Sequence, residues 1–356
     1  MAEKRELKCV IAAGGTAGHV LPALAVAEEL QRRGVRVSFA GSQDRVEARL
    51  VPEAGFEFDA FRSAGLPRQA GVALVRALAT AAGAPAACLR ILRRRRPDVV
   101  LGAGGYVSGP MVLAAALRRT PTALLEADAH LGLANRLAVP FARRVFLAVP
   151  VDGDDGVKFR VTGRPVPVRS QVVPTAEARR VFELPGAGAV LLVLGGSQGA
   201  LRLNELAVEC WGAAGPVVLH LCGERDYEAL RDRVSRADYR LLPFTDEIGA
   251  AYGAADLALA RAGGSVWELA AAGLPAVLVP YPHATADHQT KNARRLEAAG
   301  GAVVVPEVEL DRVPPLVDEL LSDAPRRERM RRAMLEVARP DAAAEIADEL
   351  VALASA

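Results

Sequence analysis

Two segments of the sequence, about 180 residues apart, share one pattern: an apolar run, a glycine-rich turn and a helix-forming stretch. The first is Leu7–Ala12, followed by Gly14–His19 and a helical pattern with leucines on one side. The second is Ala189–Leu194, followed by Gly195–Gly199 and a helical stretch from Ala200. In α/β domains, a buried parallel sheet begins with such a strand, glycine turn and helix. The repeat therefore predicts an α/β fold with two Rossmann-like parallel-sheet domains in tandem.

The length of 356 residues agrees with two domains, since a typical domain has about 150 residues. We predict an N-terminal domain over 1–163 and a C-terminal domain over 164–340, joined in the Pro/Gly-rich segment Val149–Pro167. A helix over 341–356 follows Pro340 and could pack back on the first domain. The other predicted strands are Val35–Ala40, Asp98–Leu101, Ala123–Leu125, Arg144–Ala148, Val217–Leu221, Tyr239–Leu242, Leu257–Ala260, Ala276–Val279 and Ala302–Val305.

Composition excludes several classes of protein. Hydrophobic residues make up 51% and charged residues 24%, which is typical of a packed domain and not of a disordered chain. Aromatic residues make up only 4%, and no nucleic-acid-binding motif is present, so we expect no nucleic-acid partner. The four cysteines are scattered without a C-x-x-C pair, which argues for a reducing compartment and against structural zinc. No segment has the apolar length of a signal sequence or a membrane span, so we expect a cytosolic protein.

Positive charge is concentrated in the first half of the chain. Residues 1–165 carry 24 Lys and Arg against 15 Asp and Glu, and residues 60–97 contain eight arginines and no acidic residue. Such a stretch is usually an amphipathic helix pair with a solvated basic end. A basic and apolar surface without acidic groups also suits an anionic membrane. We therefore predict that the stretch 62–96 contacts the membrane surface.

Two glycine-rich loops of the first half are candidate binding elements. Gly14–His19 has neither the dinucleotide-binding spacing nor a P-loop lysine, but a glycine turn at a helix N-terminus suits an anion. His19 is the titratable side chain of this turn, and taken alone it is more often a structural hydrogen-bonding group than a catalytic one. Gly102–Ser108 has three glycines within four positions, which favours either close approach to a ligand or simply a tight turn.

The second half contains three further candidate loops. Gly195–Gly199 is the better phosphate-binding loop, since its polar side chains Ser197 and Gln198 stand at a helix start. In the loop Arg261–Glu268, the carboxylate of Glu268 could stabilise the helix dipole or bind a ribose diol. The polar loop His283–Gln289 suits contacts to a sugar, because its two histidines are spaced i, i+5 and do not share the helix face that a metal site needs.

Four motifs in order resemble one family. They are GGTAGHVLPALAVAEEL (14–30), LGAGGYVSGP (101–110), LGGSQGALRLNE (194–205) and AAAGLPAVLVPYPHATADHQTKNA (270–293). The family is that of the bacterial peptidoglycan glycosyltransferases that add N-acetylglucosamine to lipid I, within glycosyltransferase family 28 and the GT-B superfamily. The resemblance extends from about residue 8 to residue 305.

The resemblance implies a GT-B fold, with two domains that face a cleft. It implies an inverting transfer, without metal or cofactor, from UDP-N-acetylglucosamine to the C4 hydroxyl of N-acetylmuramoyl-pentapeptide on undecaprenyl diphosphate. Such an enzyme works in peptidoglycan synthesis, bound peripherally to the cytoplasmic face of the cell membrane. The alternatives are another UDP-sugar-dependent transferase, a UDP-N-acetylglucosamine 2-epimerase and a non-catalytic nucleotide-sugar sensor.

The resemblance also assigns roles to individual residues. It makes His19 the general base and gives Glu268 the ribose and Gln289 the sugar hydroxyls. The other donor-binding residues that it implies are Thr16, Ala17, Gly18, Asp128, Arg164, Gly196, Ser197, Gln198, Thr245, Gly263, Gly264, Ser265 and Val266, and the acceptor-binding residues are Gly104, Gly105 and Tyr106.

The sequence departs from the family pattern at four places. The segment Gly163–Pro167 lacks the family's arginine two positions after its proline, where Pro167 stands, and Arg164 is taken for that role. Ala17 stands where the family usually has glycine, which preserves a close approach if φ is negative there. Asp128 replaces an amide, and a carboxylate would repel a diphosphate or accept a hydrogen bond from a sugar hydroxyl. The loop 261–268 is one residue shorter than usual.

Overall fold

The structure, a computed structural model, describes residues 5–63, 72–128, 131–151, 156–196, 199–284 and 287–355, and the side chains of 72–82 are not described. The chain divides into two compact units. Unit 1 comprises residues 1–167 and 340–356, and unit 2 comprises residues 168–339. Arg164, which the sequence analysis gives to the second domain, is therefore part of unit 1.

Within its described residues, unit 1 contains a seven-stranded parallel sheet in the order β3-β2-β1-β4-β5-β6-β7. The strands are β1 Lys8–Ala12, β2 Arg36–Gly41, β3 Glu57–Ala60, β4 Val99–Gly102, β5 Thr122–Glu126, β6 Arg144–Leu147 and β7 Phe159–Val161. The helices are α1 Ala17–Arg32, α2 Glu47–Glu53, α3 Val72–Arg95, α4 Ser108–Leu117, α5 Leu133–Ala138 and, from the C-terminal segment, α14 Ala342–Ser355.

Apolar runs in the central strands form the core of unit 1. Ile11 of β1, Phe39 of β2 and Leu101 of β4 are fully buried, as expected for parallel strands covered by helices on both faces. Helix α14 adds Ile346 and Leu350 to the same core, where they pack with residues of α1. The C-terminal segment thus completes a core built from the N-terminal part of the chain.

The described part of unit 2 contains a six-stranded parallel sheet in the order β10-β9-β8-β11-β12-β13. The strands are β8 Val190–Leu194, β9 Val217–Leu221, β10 Tyr239–Leu242, β11 Leu257–Ala260, β12 Ala276–Leu278 and β13 Ala302–Val304. The helices are α6 Thr175–Val181, α7 Leu201–Trp211, α8 Glu224–Leu230, α9 Ile248–Ala254, α10 Val266–Ala271, α11 His288–Ala298, α12 Val313–Ser322 and α13 Ala324–Ala338. The two sheets confirm the predicted α/β class with two Rossmann-like domains.

Sequence reasoning missed two strands, both at sheet edges. Strand β3 carries Glu57 and Asp59, and β7 lies inside the predicted linker Val149–Pro167. An edge strand is short and partly exposed, so it lacks the continuous apolar run of an inner strand. No helix among the described residues is long and apolar enough to cross a membrane.

The order of the strands reverses once in each sheet, and the candidate loops follow the strands on either side of that point. In unit 1 the order reverses between the adjacent strands β1 and β4, and in unit 2 between β8 and β11. Ligands of open α/β sheets bind outside the carboxyl ends of the strands at such a switch point. The loops after β1, β4, β8 and β11 are the four that carry most of the predicted site residues.

Candidate active site

His19 lies in the first turn of α1, directly after the glycine turn that leaves β1. Its Nδ1 atom is 3.2 Å from the carbonyl oxygen of Gly14 and 3.3 Å from Oγ1 of Thr16. A carbonyl oxygen only accepts hydrogen bonds, so the contact with Gly14 is a hydrogen bond only in the tautomer that carries the proton on Nδ1. In that tautomer the neutral ring has its lone pair on Nε2, which is the form of a general base.

The glycine loop after β4 packs directly on this histidine. Gly104 has a φ of +90°, and a Cβ atom there would lie 2.6 Å from Cδ2 of His19. Gly105 has a φ of +74°, and its Cβ would lie 2.1 Å from the carbonyl oxygen of Gly14. The Tyr106 ring lies next, against Gly15. The structure thus brings Gly104 to the predicted base, and Gly105 and Tyr106 to the glycine turn that precedes it.

A buried carboxylate that the sequence did not single out lies below the same turn. Glu47, in the first turn of α2, is fully buried. Its Oε2 accepts a hydrogen bond from the backbone N–H of Gly15, and its Oε1 accepts one from the N–H of Ser42, both at 3.0 Å. A lone glutamate in an amphipathic helix gives no sequence signal of such a role.

The start of α1 also fits the departure at position 17. Ala17 is the first residue of α1, where φ is negative, so alanine replaces the family's glycine without backbone strain. Thr16 precedes it in extended conformation, and its carbonyl accepts the N–H of His19 at 3.1 Å. A Cβ on Gly18 would lie 3.4 Å from Oγ1 of Thr16 and 3.8 Å from Nη2 of Arg164, which is ordinary van der Waals contact.

Arg164 connects the loops after β1 and β5 inside unit 1. Its Nη2 donates to the carbonyl of Gly18 at 2.8 Å, and its Nη1 donates to the carbonyl of Ala127. The same Nη1 lies 3.5 Å from Oδ1 of Asp128, so that carboxylate, which is 38% exposed, is partly compensated. Because Arg164 is nearly buried and holds two backbone carbonyls, its local role is to fix these loops.

The buried carboxyl group of Glu126 holds the loop after β5 in place by hydrogen bonds. Burial raises the pKa of this carboxyl group, against the lowering effect of its hydrogen bonds. It accepts bonds from the backbone N–H of Asp128 and Gly132 and from the amide of Asn135, at 3.2, 2.8 and 3.0 Å. The position of Asp128 is therefore determined by two buried neighbours, Glu126 and Arg164.

In unit 2, the loop after β8 is shaped by three glycines. Gly196 and Gly199 have positive φ values of +81° and +72°, and a Cβ on Gly199 would lie 2.5 Å from the carbonyl oxygen of Cys222. The loop opens the 11-residue helix α7, whose N-terminal N–H groups suit an anion. The predicted phosphate-binding side chains Ser197 and Gln198 lie outside the described residues.

A buried polar network supports this loop. Asn204 of α7 donates to the carbonyl of Cys222 and to Asp226, and its Oδ1 is 3.0 Å from Nε2 of His220. The other ring nitrogen of His220 is 2.8 Å from the hydroxyl of Tyr239. Burial lowers the pKa of His220 to about 3, so the ring is neutral at pH 7. These residues had no recognisable motif in the sequence.

The loop after β11 presents Glu268. Its Oε2 accepts hydrogen bonds from Oγ of Ser170 and from the hydroxyl of Tyr252, at 2.9 and 3.0 Å. Burial and the neighbouring Glu268 hold the pKa of Tyr252 well above its usual range, so that it stays a donor. No described residue donates to Oε1 of Glu268.

Gln289 of α11 is oriented by two backbone N–H groups. Its Oε1 accepts from Ala262 at 3.2 Å and from Tyr281 at 2.9 Å. The amide nitrogen consequently faces Gly263, where a Cβ would lie 3.9 Å from it. The structure thus brings Gln289 to the predicted nucleotide loop, which is completed by Gly264, Ser265 and the buried Val266.

Thr245 stands apart from these contacts. It follows the edge strand β10, and its hydroxyl accepts the backbone N–H of Glu247 at 3.0 Å. Strands β9 and β8 separate β10 from β11 in the sheet. A role for Thr245 in donor binding stays a prediction.

Both halves of the chain match models of one protein family, and similar proteins match it over nearly its full length. The glycosyltransferase family 28 N-terminal domain matches residues 9–147, and the glycosyltransferase family 28 C-terminal domain matches residues 190–346. A protein of Halothermothrix orenii, named UDP-N-acetylglucosamine--N-acetylmuramyl-(pentapeptide) pyrophosphoryl-undecaprenol N-acetylglucosamine transferase, is 38% identical, with 94% of this chain and 95% of the relative covered. A protein of the same name from Halorhodospira halophila is 43% identical, with 95% and 96% covered. The crystal structure of Acinetobacter baumannii MurG matches with a TM-score of 0.73 and 29% identity, over 98% of this chain and all of the other.

Proposed function

We propose that this chain, which belongs to glycosyltransferase family 28, transfers N-acetylglucosamine from UDP-N-acetylglucosamine to the lipid-linked N-acetylmuramyl-pentapeptide acceptor, lipid I. The product is lipid II, so the enzyme is a hexosyltransferase of peptidoglycan synthesis. The observation that carries this conclusion is the identity of 38% and 43% to relatives named for this reaction, over nearly the full length of both chains.

We assign the donor to unit 2. The N-terminal N–H groups of α7 would bind the diphosphate, and Oε1 of Glu268 would accept a hydrogen bond from a ribose hydroxyl. The amide nitrogen of Gln289 would donate to a sugar hydroxyl, since its oxygen is already bound by backbone N–H groups. Gly263–Val266 would line the nucleotide. The assignments of Glu268 and Gln289 use atoms that the contacts of the described residues leave available.

We assign the acceptor hydroxyl to His19 of unit 1. In the transfer, the acceptor oxygen forms a bond to the anomeric carbon of the donor sugar while its proton passes to Nε2 of His19. The bond from that carbon to the diphosphate breaks, and UDP leaves with the electron pair. A base at the hydroxyl and a stabilised leaving group are the two requirements of such an inverting displacement. Gly104 would serve this step by letting the loop after β4 pack against the His19 ring, and Gly105 by packing against the carbonyl of Gly14.

The roles of Arg164 and Asp128 follow from their contacts. We propose that Arg164 positions the loops after β1 and β5 rather than binding the donor directly, because its guanidinium already bonds two carbonyls. Asp128 next to it would accept a hydrogen bond from a sugar hydroxyl, since Arg164 compensates part of its charge.

We propose that unit 1 binds the surface of an anionic membrane peripherally. Of the predicted stretch 62–96, residues 64–71 lie outside the described residues, and Arg94 and Arg95 form ion pairs with Glu57 and Asp59 of β3. The adjacent surface around α4 and α5 extends the candidate contact. It exposes Leu117, Leu137 and Phe141 together with Arg118, Arg119, Arg136 and Arg143.

Liposome co-sedimentation tests the membrane proposal. Leu137→Glu combined with Phe141→Glu should reduce binding to vesicles that contain anionic phospholipid, because two charges would have to enter the apolar interface. Val308→Glu, at an exposed valine of unit 2, is the matched control and should bind as the unchanged protein does. Equal binding of all three proteins would exclude this surface.

The transfer itself is tested with UDP-N-acetylglucosamine and a soluble lipid I analogue. We expect one UDP released for each acceptor molecule that gains one N-acetylglucosamine, measured by coupled UDP detection and mass spectrometry. A reaction without acceptor is the control and should release almost no UDP. Release of UDP or formation of an epimerised sugar in that control would contradict the proposal, as would an unchanged acceptor mass in the complete reaction.

A further inference from the structure

Glu47 is a buried carboxylate that the transfer described above does not use. The described residues place no lysine or arginine against it, and its two oxygens are bound only by the backbone N–H groups of Ser42 and Gly15. Burying a carboxylate without a cation is costly even when hydrogen bonds compensate it. Its position below the glycine turn therefore suggests a use beyond closing a loop.

One peptide group connects Glu47 to His19. The N–H of Gly15, which donates to Oε2 of Glu47, and the carbonyl of Gly14, which contacts Nδ1 of His19 at 3.2 Å, belong to the same planar peptide unit. A hydrogen bond at one end of a peptide group polarises it and strengthens the bond at the other end. The carboxylate of Glu47, the Gly14–Gly15 peptide and the imidazole of His19 thus form a continuous hydrogen-bonded relay.

We propose that Glu47 is a positioning residue that acts on His19 through the Gly14–Gly15 peptide. The polarised carbonyl holds the proton on Nδ1 and leaves the lone pair on Nε2. It also stabilises the positive charge that the ring acquires when Nε2 takes the acceptor proton. A carboxylate that contacts a catalytic histidine directly has the same effect, and here a peptide group is interposed. The inference rests on the proposed role of His19 as the base.

The glycines around this relay support the inference. A Cβ on Gly14 would lie 2.3 Å from Oε1 of Glu47, and a Cβ on Gly105 would lie 2.1 Å from the carbonyl oxygen of Gly14. The close contacts of Glu47 with Gly14, and of Gly105 with the carbonyl of Gly14, therefore depend on positions that lack side chains. The glycine pattern, which from sequence suggests close approach to a ligand, here permits the approach of the protein's own groups.

Thr16 offers the alternative that the experiment must exclude. Its hydroxyl is 3.3 Å from the same Nδ1 atom and could donate to an unprotonated Nδ1. In that case Nε2 would carry the proton, and Glu47 would have no influence on the ring. The two arrangements differ in the tautomer of neutral His19.

The first test reads this tautomer by nitrogen NMR of protein labelled with ¹⁵N-histidine, with the signals of His19 identified by their loss in His19→Ala. Glu47→Gln keeps the size of the side chain but has one acceptor oxygen for two N–H donors. Asp98→Asn is the matched control, because Asp98 accepts the backbone N–H of Lys8 at 2.9 Å at the opposite end of β1. We expect the Nδ1–H form in the unchanged protein and in Asp98→Asn, and a mixture in Glu47→Gln. The same tautomer in all three proteins would overturn the proposal.

The second test is a double-mutant cycle on single-turnover transfer. Glu47→Gln should lower the rate about 10- to 100-fold, as is typical for groups that orient a catalytic or metal-binding histidine, with UDP affinity within threefold. In the His19→Ala background the same substitution should change the rate less than twofold. Equal losses in both backgrounds would show a general structural role and refute the relay.

Two further comparisons keep the outcomes distinct. If Glu47→Gln does not fold, as judged by circular dichroism, Glu47→Asp keeps the charge but withdraws it by one methylene group and should show the same tautomer mixture. If His19→Ala retains full turnover, the proposed function of His19 fails, whereas the NMR result still decides whether Glu47 controls the ring.

Discussion

Replacing Gly104 with alanine tests how closely the loop after β4 holds His19. A Cβ at position 104 would lie 2.6 Å from Cδ2 and 3.1 Å from Nε2 of the ring. Carbon atoms in contact are about 3.5–4.0 Å apart, so the ring has to move by about 1 Å. Misplacement of a catalytic group by that distance costs on the order of 100-fold in rate. The positive φ of +90° adds about 1–3 kcal/mol of backbone strain.

Gly34→Ala separates the loss of stability from the displacement of the ring. Gly34 also has a positive φ, +74°, but open space surrounds the position of its Cβ. Both variants should lose a few degrees in Tm, at about 2–4 °C for each kcal/mol. Only Gly104→Ala should lose about 100-fold in single-turnover rate, and its UDP affinity should stay within twofold. Equal turnover of the two variants would refute the packing argument.

Three further predictions concern unit 2. Glu268→Ala should weaken UDP binding at least tenfold in calorimetry, because a ribose hydroxyl loses a charged acceptor; an unchanged Kd would exclude that contact. Gln289→Glu keeps the acceptor oxygen Oε1 but replaces the donating amide nitrogen with a second acceptor. The KM of UDP-N-acetylglucosamine should therefore rise about tenfold while the Kd of UDP stays constant, and a parallel rise in both would contradict the assignment to the sugar. The folded pKa of His220, about 3, lies below its ordinary value of about 6.5, so the unfolded chain binds the proton first as the pH falls. The free energy of unfolding should therefore drop by about 1.4 kcal/mol for each pH unit between roughly pH 6 and 4, and a His220→Gln variant with the same slope would disprove this.

The inner strands and the switch-point loops could be predicted because a buried parallel strand is a continuous apolar run. Val190–Leu194 and Leu257–Ala260 are such runs, and glycine turns mark their ends. The edge strands β3 and β7 could not be predicted in this way. Their partners lie on one side only, so that charged and exposed residues are tolerated in them.

The candidate site could be predicted only in part, because tertiary packing brings some of its residues from distant parts of the chain. His19, Glu268 and Gln289 stand in the first turns of helices that follow glycine-rich or polar loops with recognisable spacing, and the structure gives each of them defined contacts. Glu47 and Ser170 come from distant positions of the chain and reach these loops only through tertiary packing. A glutamate in a helix and a serine in a short turn carry no local signal of what they contact.

The interpretation of Arg164 also needed the structure. Its place beside prolines in the predicted linker suggests a residue of the domain boundary. Its contacts with Gly18 and Ala127 instead make it a buried part of unit 1. Only the geometry of these contacts distinguishes this role from that of a ligand-binding arginine.

The role of His19 is decided by the His19→Ala variant, with rapid-quench measurement of transfer from UDP-N-acetylglucosamine to a lipid I analogue and calorimetry of UDP on the same preparation. We expect the transfer rate to fall at least 100-fold, because the acceptor hydroxyl loses its base. We also expect the Kd of UDP to stay within about threefold, because we assign the nucleotide to unit 2. Transfer by the variant at the unchanged rate would show that His19 is not the base.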